Sequence, residues 1–253
     1  MFTCSLQSGS NGNSIYVETD DARLLFDAGI GGKVAGERLA HHDRDIREVD
    51  AVLVSHNHRD HVSGVGVFQR KFSLPIYITR GAWRVVRDQL GPVQDVRHFA
   101  PGQCLQFKTT TIETIPTAHD AVEPVAFVIR HGGKSLGIFT DLGHRFAGIE
   151  NWIARLDGLY LESNYDPQML AAGPYPAWLK RRITGPAGHL SNHEACQLVK
   201  DSALRLQFLV LAHLSQENNH PDLALATAKS YLPRRMPISL APRYTVSESF
   251  VLE

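Results

Sequence analysis

The sequence predicts an α/β fold in which two β-sheets pack face to face and carry helices on their outer sides. Three observations predict it. Short apolar runs with strand character crowd the first quarter of the chain and return in its middle. Each strand-rich block then gives way to strands alternating with helical segments. No Pro/Ser-rich linker, low-complexity stretch or short tandem repeat breaks the 253 residues, so residues 1–253 read as a single domain.

The elements follow in order. Ile15-Tyr16-Val17 and Arg23-Leu24-Leu25-Phe26 form a hairpin around Asp20-Asp21, preceded by the polar loop Ser8-Gly9-Ser10-Asn11-Gly12-Asn13-Ser14. A helix is expected over residues 33–41. Ala51-Val52-Leu53-Val54 is a buried strand, followed by helix over 62–71, strand over 75–79, and helix over 82–90 stopped by Gly91-Pro92. Strands are expected at 104–107, 110–115, 125–130 and 136–140, a helix at 146–156, and a strand at Gly158-Leu159-Tyr160-Leu161. Phe208-Leu209-Val210-Leu211 is a further strand, 221–232 a helix with proline at its start, and 246–252 a closing strand.

Composition narrows the class. An apolar share of 43% is enough to bury a core. Lys+Arg and Asp+Glu balance at 26 each, so no global basic field advertises a polyanion, although a local patch would suffice. The first residues show no secretory leader, and no run approaches the ~18 apolar residues of a membrane span. Cys4, Cys104 and Cys196 are isolated, which suits reduced thiols in the cytoplasm. His41, His42, His98, His131 and His144 lack ligand spacing and read as surface residues; Trp83, Trp152 and Trp178 read as packing residues.

The chemistry lies in His56-Asn57-His58-Arg59-Asp60-His61, directly after the strand 51–54. Ligands in α/β folds commonly sit past the carboxyl ends of strands. Four ligands from so short a turn cannot all reach one ion. The natural arrangement sends His56 and His58 to one metal, and Asp60 and His61 to a second. Imidazole and carboxylate without thiolate suit zinc, manganese or iron. The same strand-then-ligand pattern recurs at His119, Asp141 and His213. His119 then completes the first site and His213 the second, while Asp141 bridges. Two divalent ions and a shared hydroxide would form a hydrolytic centre with no serine or cysteine nucleophile, and Asp60 counts as catalytic as well as metal-ligating.

This ordered set, His56-x-His58-x-Asp60-His61 with His119, Asp141 and His213, resembles the metallo-β-lactamase superfamily along nearly the whole chain. The resemblance implies an αβ/βα four-layer sandwich with metals at one edge. It does not by itself choose a substrate. Asp27, ending the strand 24–26, matches a recurrent acidic position of that superfamily and is expected to support the ligand turn by hydrogen bonding, a plain turn carboxylate being the alternative.

Finer features point to phosphodiesters. The loop at residues 8–14, Gly64-Val65-Gly66-Val67, Gly188-His189-Leu190-Ser191-Asn192 and His213-Leu214-Ser215-Gln216-Glu217-Asn218-Asn219 together resemble the YycJ-like (WalJ) branch, implicated in exonuclease action on DNA ends. His189 is expected to protonate a leaving oxygen or hold a phosphoryl oxygen, the alternative being a residue ahead of a helix cap at Ser191. Ser10, Asn11 and Asn13 are the expected substrate-binding residues of the loop, which otherwise is a plain connection. Lys180-Arg181-Arg182 and Arg234-Arg235 offer backbone contacts to a nucleic acid or are solvated faces. The resulting expectation is a dinuclear metal-dependent phosphodiesterase or nuclease, 5′→3′ exonuclease-like on DNA, with no membrane partner. The alternatives are a small-molecule cyclic phosphodiesterase of phosphonate metabolism, a thioesterase of the glyoxalase II type, for which little chain remains after Leu232, and a redox diiron protein.

Overall fold

A computed structural model describes all residues, Met1–Glu253. The chain starts with a meander of antiparallel strands, β1 (Phe2–Gln7), β2 (Ser14–Glu18) and β3 (Arg23–Phe26). Helix α1 (Gly32–Ala40) leads to β4 (Ala51–Leu53), which runs parallel to β3. The short α2 (Arg59–Val62) and α3 (Val65–Phe72) precede β5 (Ile76–Thr79), and α4 (Arg80–Val86) precedes β6 (Val96–Phe99), both strands continuing the parallel half.

The second half repeats this plan. Strands β7 (Cys104–Phe107), β8 (Thr110–Pro116), β9 (Val125–His131) and β10 (Lys134–Phe139) form an antiparallel meander. Helix α5 (Ile149–Ile153) leads to β11 (Gly158–Glu162), parallel to β10. Helices α6 (Pro167–Ala172), α7 (Ala177–Ile183) and α8 (Asn192–Ser202) precede β12 (Phe208–Ala212), and α9 (Pro221–Tyr231) precedes β13 (Ile238–Leu240). The chain then crosses back, so that β14 (Phe250–Val251) pairs antiparallel with β1. The two seven-stranded sheets run β14-β1-β2-β3-β4-β5-β6 and β13-β12-β11-β10-β9-β8-β7.

Three apolar layers hold the sheets and helices together. Leu25, Val52, Ile76 and Ile78 face outward from the first sheet onto Ala35, Leu39, Val65 and Phe68 of its helices. Leu24, Phe26, Ala51 and Leu53 face inward, onto Ile112, Phe127, Leu136 and Val210 of the second sheet; the rings of Phe26 and Phe127 lie 5.0 Å apart. Leu159, Leu161, Leu209 and Leu211 cover the other face of the second sheet against α5, α8 and α9. This is why β4 and β12 are uninterrupted apolar runs: a parallel strand covered on both faces has no polar side to alternate with. The expected α/β class and αβ/βα four-layer sandwich are therefore the observed architecture. No helix is long and apolar enough to cross a membrane.

Several elements differ from the sequence expectation. The opening strand β1 and the edge strands β6 and β13 carry too little apolar signal to stand out, yet sheet pairing makes them strands. Helices α6 and α7 arise between the strands 158–161 and 208–211, where the sequence marks no element; Asp166 caps α6 by accepting from the Met169 N–H, with Pro167 at its first position. The helix expected at 146–156 is confined to Ile149–Ile153, and the closing strand to Phe250–Val251. Among the histidines expected at the surface, His41 and His144 are exposed, but His42, His98 and His131 are half-buried. His42 meets the Ser247 carbonyl at 2.9 Å, and His131 lies 3.1 Å from Asp20. Trp83 and Trp152 pack against the cores as expected, whereas Trp178 is 62% exposed.

Candidate metal centre

Strand ends build the centre. Ser55 and His56 leave β4, and the turn enters α2 with His58 at its N-cap. His119 follows β8, Asp141 follows β10 and His213 follows β12. These sheet ends converge, so all seven expected residues meet at one edge of the sandwich. The potential ligand atoms of His56, His58 and His119 lie within 4.8 Å of one another, as do those of Asp60, His61 and His213. Asp141 sits between the sets: Oδ2 is 3.2 Å from His61 Nε2, and Oδ1 is 3.6 Å from His119 Nε2.

Each imidazole is anchored by one nitrogen, and its other nitrogen faces the centre. His56 Nδ1 bonds Ser55 Oγ at 2.9 Å, His58 Nε2 donates to the Asp120 carbonyl at 3.2 Å, and His119 Nδ1 donates to the Gly188 carbonyl at 3.0 Å. His61 Nδ1 donates to Asp27 Oδ2 at 2.7 Å, and His213 Nδ1 to Glu162 Oε1 at 3.1 Å. Such outer bonds fix the ring orientation and the coordinating nitrogen of metal-ligating histidines. Asp27 also accepts from the Ser55 N–H at 2.8 Å and from its hydroxyl at 2.9 Å, so one carboxylate steadies both ends of the turn.

Two buried atoms test whether a metal fits. His56 Nε2 has no hydrogen-bond partner, and Asp141 Oδ2 has only the His61 imidazole, 3.2 Å away. A buried polar atom left unpaired costs about 1–3 kcal/mol, which a cation between the sets would offset. The charge balance agrees. Burial, reinforced by neighbouring imidazoles, holds His56 well below its ordinary pKa, and burial likewise lowers His119. Both are neutral imidazoles, the form that can ligate a cation. Burial opposes charge on His61 and His213 too, but the carboxylates around them prevail: Asp27, Asp141 and Asp60 raise His61, while Asp141, Asp60 and Glu162 push His213 up to about 10. Asp60 and Asp141, though desolvated, are held low by those same imidazoles.

The backbone is strained at the same place. Asp27, Asp141 and His213 leave their strands at φ 64°, 57° and 55°. Non-glycine residues seldom adopt this left-handed region, and it costs on the order of 1–3 kcal/mol where the surroundings impose it. Gly29 makes a close approach possible instead: a Cβ there would overlap the Asp60 carbonyl oxygen.

The loop at residues 8–14 behaves differently from expectation. Asn13 turns inward. Its amide reaches Asp60 Oδ2 at 3.2 Å and His61 Nε2 at 3.0 Å, and its carbonyl oxygen accepts from the Gly9 N–H at 2.8 Å. The N–H groups of Ser8, Gly12 and Asn13 are also bonded within the protein, so no open phosphate cradle remains below the tip. Ser10 and Asn11 are exposed there, and the Asn11 side chain is engaged by Arg243.

His189 lies in the centre, with its ring 5.0 Å from that of His119 and 5.3 Å from that of His213. Its Nδ1 donates to Glu162 Oε1 at 2.7 Å, and Nε2 has no protein partner. Burial opposes charge on His189, but the Glu162 and Asp141 carboxylates together raise its pKa. Glu162, fully buried, is not among the residues the sequence singles out. Its Oε2 accepts from the Leu142 N–H at 2.9 Å and the Leu190 N–H at 3.0 Å, while Oε1 faces His189 and His213. With its lone pairs thus occupied, it serves as an orienting group and not as an open ligand. A signal for it exists: Glu162 ends an apolar strand, as Asp27 and Asp141 nearly do, but a pattern of strand-end His and Asp alone passes over a glutamate.

The family profile of the β-lactamase superfamily domain matches residues 22–214. The chain is 34% identical over 233 residues to the exodeoxyribonuclease YycJ of Bacillus anthracis, covering 91% of this chain and 88% of that one. It is 37% identical over 235 residues to the exodeoxyribonuclease WalJ of Streptococcus pneumoniae serotype 2, covering 90% and 86%. In structure it is similar to the metallo-β-lactamase fold protein YhfI from Bacillus subtilis, with a TM-score of 0.75 at 21% identity, covering 98% of this chain and 99% of that one. The profile match and the two relatives, joined to the converging His/Asp sets, establish that this chain belongs to the metallo-β-lactamase superfamily.

Proposed function

We propose that this protein is a metal-dependent phosphodiesterase, a nuclease that acts at polynucleotide ends and is 5′→3′ exonuclease-like on DNA. The observation that carries the reading is the His189–Glu162 pair set against the two ligand sets, with Nε2 of His189 left without a protein partner. The exodeoxyribonuclease relatives, similar along nine tenths of the chain, support the choice of DNA.

His56, His58 and His119 would hold one divalent ion, and Asp60, His61 and His213 a second, with Asp141 between them. Donors of nitrogen and oxygen without thiolate accommodate zinc, manganese or iron. Bound there, such ions supply an acidified water and charge neutralisation at a phosphoryl group. The residues do the rest. Glu162 keeps the His189 proton on Nδ1 and stabilises the imidazolium, so that Nε2–H can be given to the departing oxygen. Asp27 and Asn13 hold His61 and Asp60 in register. Arg182 donates to Asp120 Oδ2 at 2.5 Å beside His58 and His119, which brings the basic run 180–182 to the rim of the centre, where a phosphate backbone would pass. Three unpaired cysteines support a reducing compartment such as the cytoplasm.

The test is an assay of metal-loaded protein on labelled DNA, bis(p-nitrophenyl) phosphate and a thioester. Cleavage of DNA from an end is expected, weakening as salt rises. His189→Ala should slow cleavage most for poor leaving groups and spare metal binding. Robust thioester hydrolysis with no phosphodiester cleaved, in zinc and in manganese, would overturn the reading.

A further inference from the structure

A cavity of about 550 Å³ lies beside Leu214, the residue that follows His213, a size suited to a small organic ligand. It adjoins the centre through two residues. Ser8 lines it and accepts the His213 N–H through Oγ at 2.7 Å, and Leu214, the next residue after His213, forms part of its wall. The far side comes from the segment between β13 and β14, which contributes Leu240, Arg243 and Tyr244.

Two of these residues are unexplained by the fold. Arg243 is half-buried and has no carboxylate within ion-pair distance. It is held in place by neutral groups: Nη1 donates to Asn11 Oδ1 at 2.8 Å and Nη2 to the Leu214 carbonyl at 2.5 Å. A guanidinium carries five N–H donors, so three remain to bind an anion. Tyr244 is 64% exposed and belongs to no core cluster. Its hydroxyl donates to Gln216 Oε1 at 3.0 Å, which tethers the ring at one end and leaves its faces free of the core. A fixed cation with no carboxylate in contact, beside a tethered aromatic ring and a partly apolar wall, matches a ligand with a phosphate at one end and a flat heteroaromatic ring at the other.

We propose that this cavity seats the nucleotide adjoining the scissile phosphate, its base against Tyr244 and Leu214 and its phosphate against Arg243. The proposal deepens the phosphodiesterase reading and rests on it for the word scissile. It also accounts for the engaged Asn11, since the loop tip then holds Arg243 in position and does not itself cradle the phosphate.

The experiment is calorimetric titration of the metal-loaded full chain with deoxyadenosine 5′-monophosphate, 2-deoxyribose 5-phosphate and deoxyadenosine. The nucleotide should bind at least about tenfold tighter than the sugar phosphate, as base stacking requires. Tyr244→Ala should abolish that ratio and Tyr244→Phe should keep it. Arg243→Gln should weaken both phosphate ligands by a similar factor and spare deoxyadenosine, with Arg243→Lys restoring part of the loss. Equal binding of nucleotide and sugar phosphate to the wild-type protein, or an unchanged ratio in Tyr244→Ala, would overturn the base site. Wild-type affinity for both phosphate ligands in Arg243→Gln would overturn the role of Arg243. A wild-type protein that cleaves no phosphodiester would fail the parent reading alone, because the binding ratio is read without turnover.

Discussion

Asp27 Oδ2 accepts the Nδ1–H of His61 at 2.7 Å, and both side chains are almost wholly buried. Asp27 sits at a left-handed φ of 64° to do so. The bond commits the His61 proton to one edge of the ring and leaves Nε2 facing Asp60 and Asp141, 3.5 and 3.2 Å away. A residue outside both ligand sets thereby decides which atom of His61 is on offer.

Asp27→Ala should therefore lower metal affinity about 10–100-fold, the usual effect of removing an outer partner of a metal ligand. Metal titration followed by elemental analysis measures it, and circular dichroism should show an intact fold. Unchanged affinity would mean that the bond is structural only.

Asp60→Ala removes a carboxylate aimed at the centre. Hydrolysis of bis(p-nitrophenyl) phosphate should drop by more than the roughly 100-fold upper range for a supporting residue, while the thermal unfolding profile stays cooperative. Near-normal turnover, with metal content checked, would refute the two-set arrangement.

Gly29→Ala should disturb the same carboxylate through the backbone, because the added methyl overlaps the Asp60 carbonyl oxygen. We expect a stability loss of about 1–3 kcal/mol together with weaker metal binding. Gly31→Ala meets nothing within 4 Å and is the matched control. Equal melting curves for the two variants would contradict this packing.

Metal loading should depend on pH with a defined sign. Without metal, His61 and His213 have raised folded-state pKa values, His213 moving from 6.5 to about 10. Their protonated forms stabilise the metal-free fold below the unfolded value near 6.5, and this stabilisation is lost as pH climbs towards 10. Metal must displace those protons, so affinity should rise with pH over the same window. Calorimetry in buffers of different ionisation enthalpy counts the protons released; a count of zero would reject the coupling.

Thiol chemistry should single out one cysteine. Burial pushes Cys4 and Cys196 up to about 12, whereas Cys104 is exposed. Native protein should react with a chromogenic disulfide at one thiol per chain and denatured protein at three. The buried thiols also predict falling stability above about pH 9, since ionising them inside the fold is disfavoured. Rapid native reaction of all three would show that the cores open readily.

The sandwich, the ligand turn and the residues that join it from other strand ends (His119, Asp141 and His213) are all legible in the order of amino acids, and Asp27 only through the family resemblance. These are local facts. An apolar run declares a strand buried on both faces, and a His or Asp just past its end is placed at a sheet edge by the strand's own geometry. Relations between segments far apart in the chain emerge only once it is folded. Glu162 reaches His213 because β11 and β12 lie side by side, and meets His189 because the segment before α8 folds onto the end of β11; Asn13 faces Asp60 because the loop after β1 folds onto the ligand turn. Arg243 reaches Asn11, 232 residues away, because the chain crosses back to pair β14 with β1. Local pattern carries no record of such pairings: they follow from which strand edges meet and which polar atoms must be satisfied once burial has removed water.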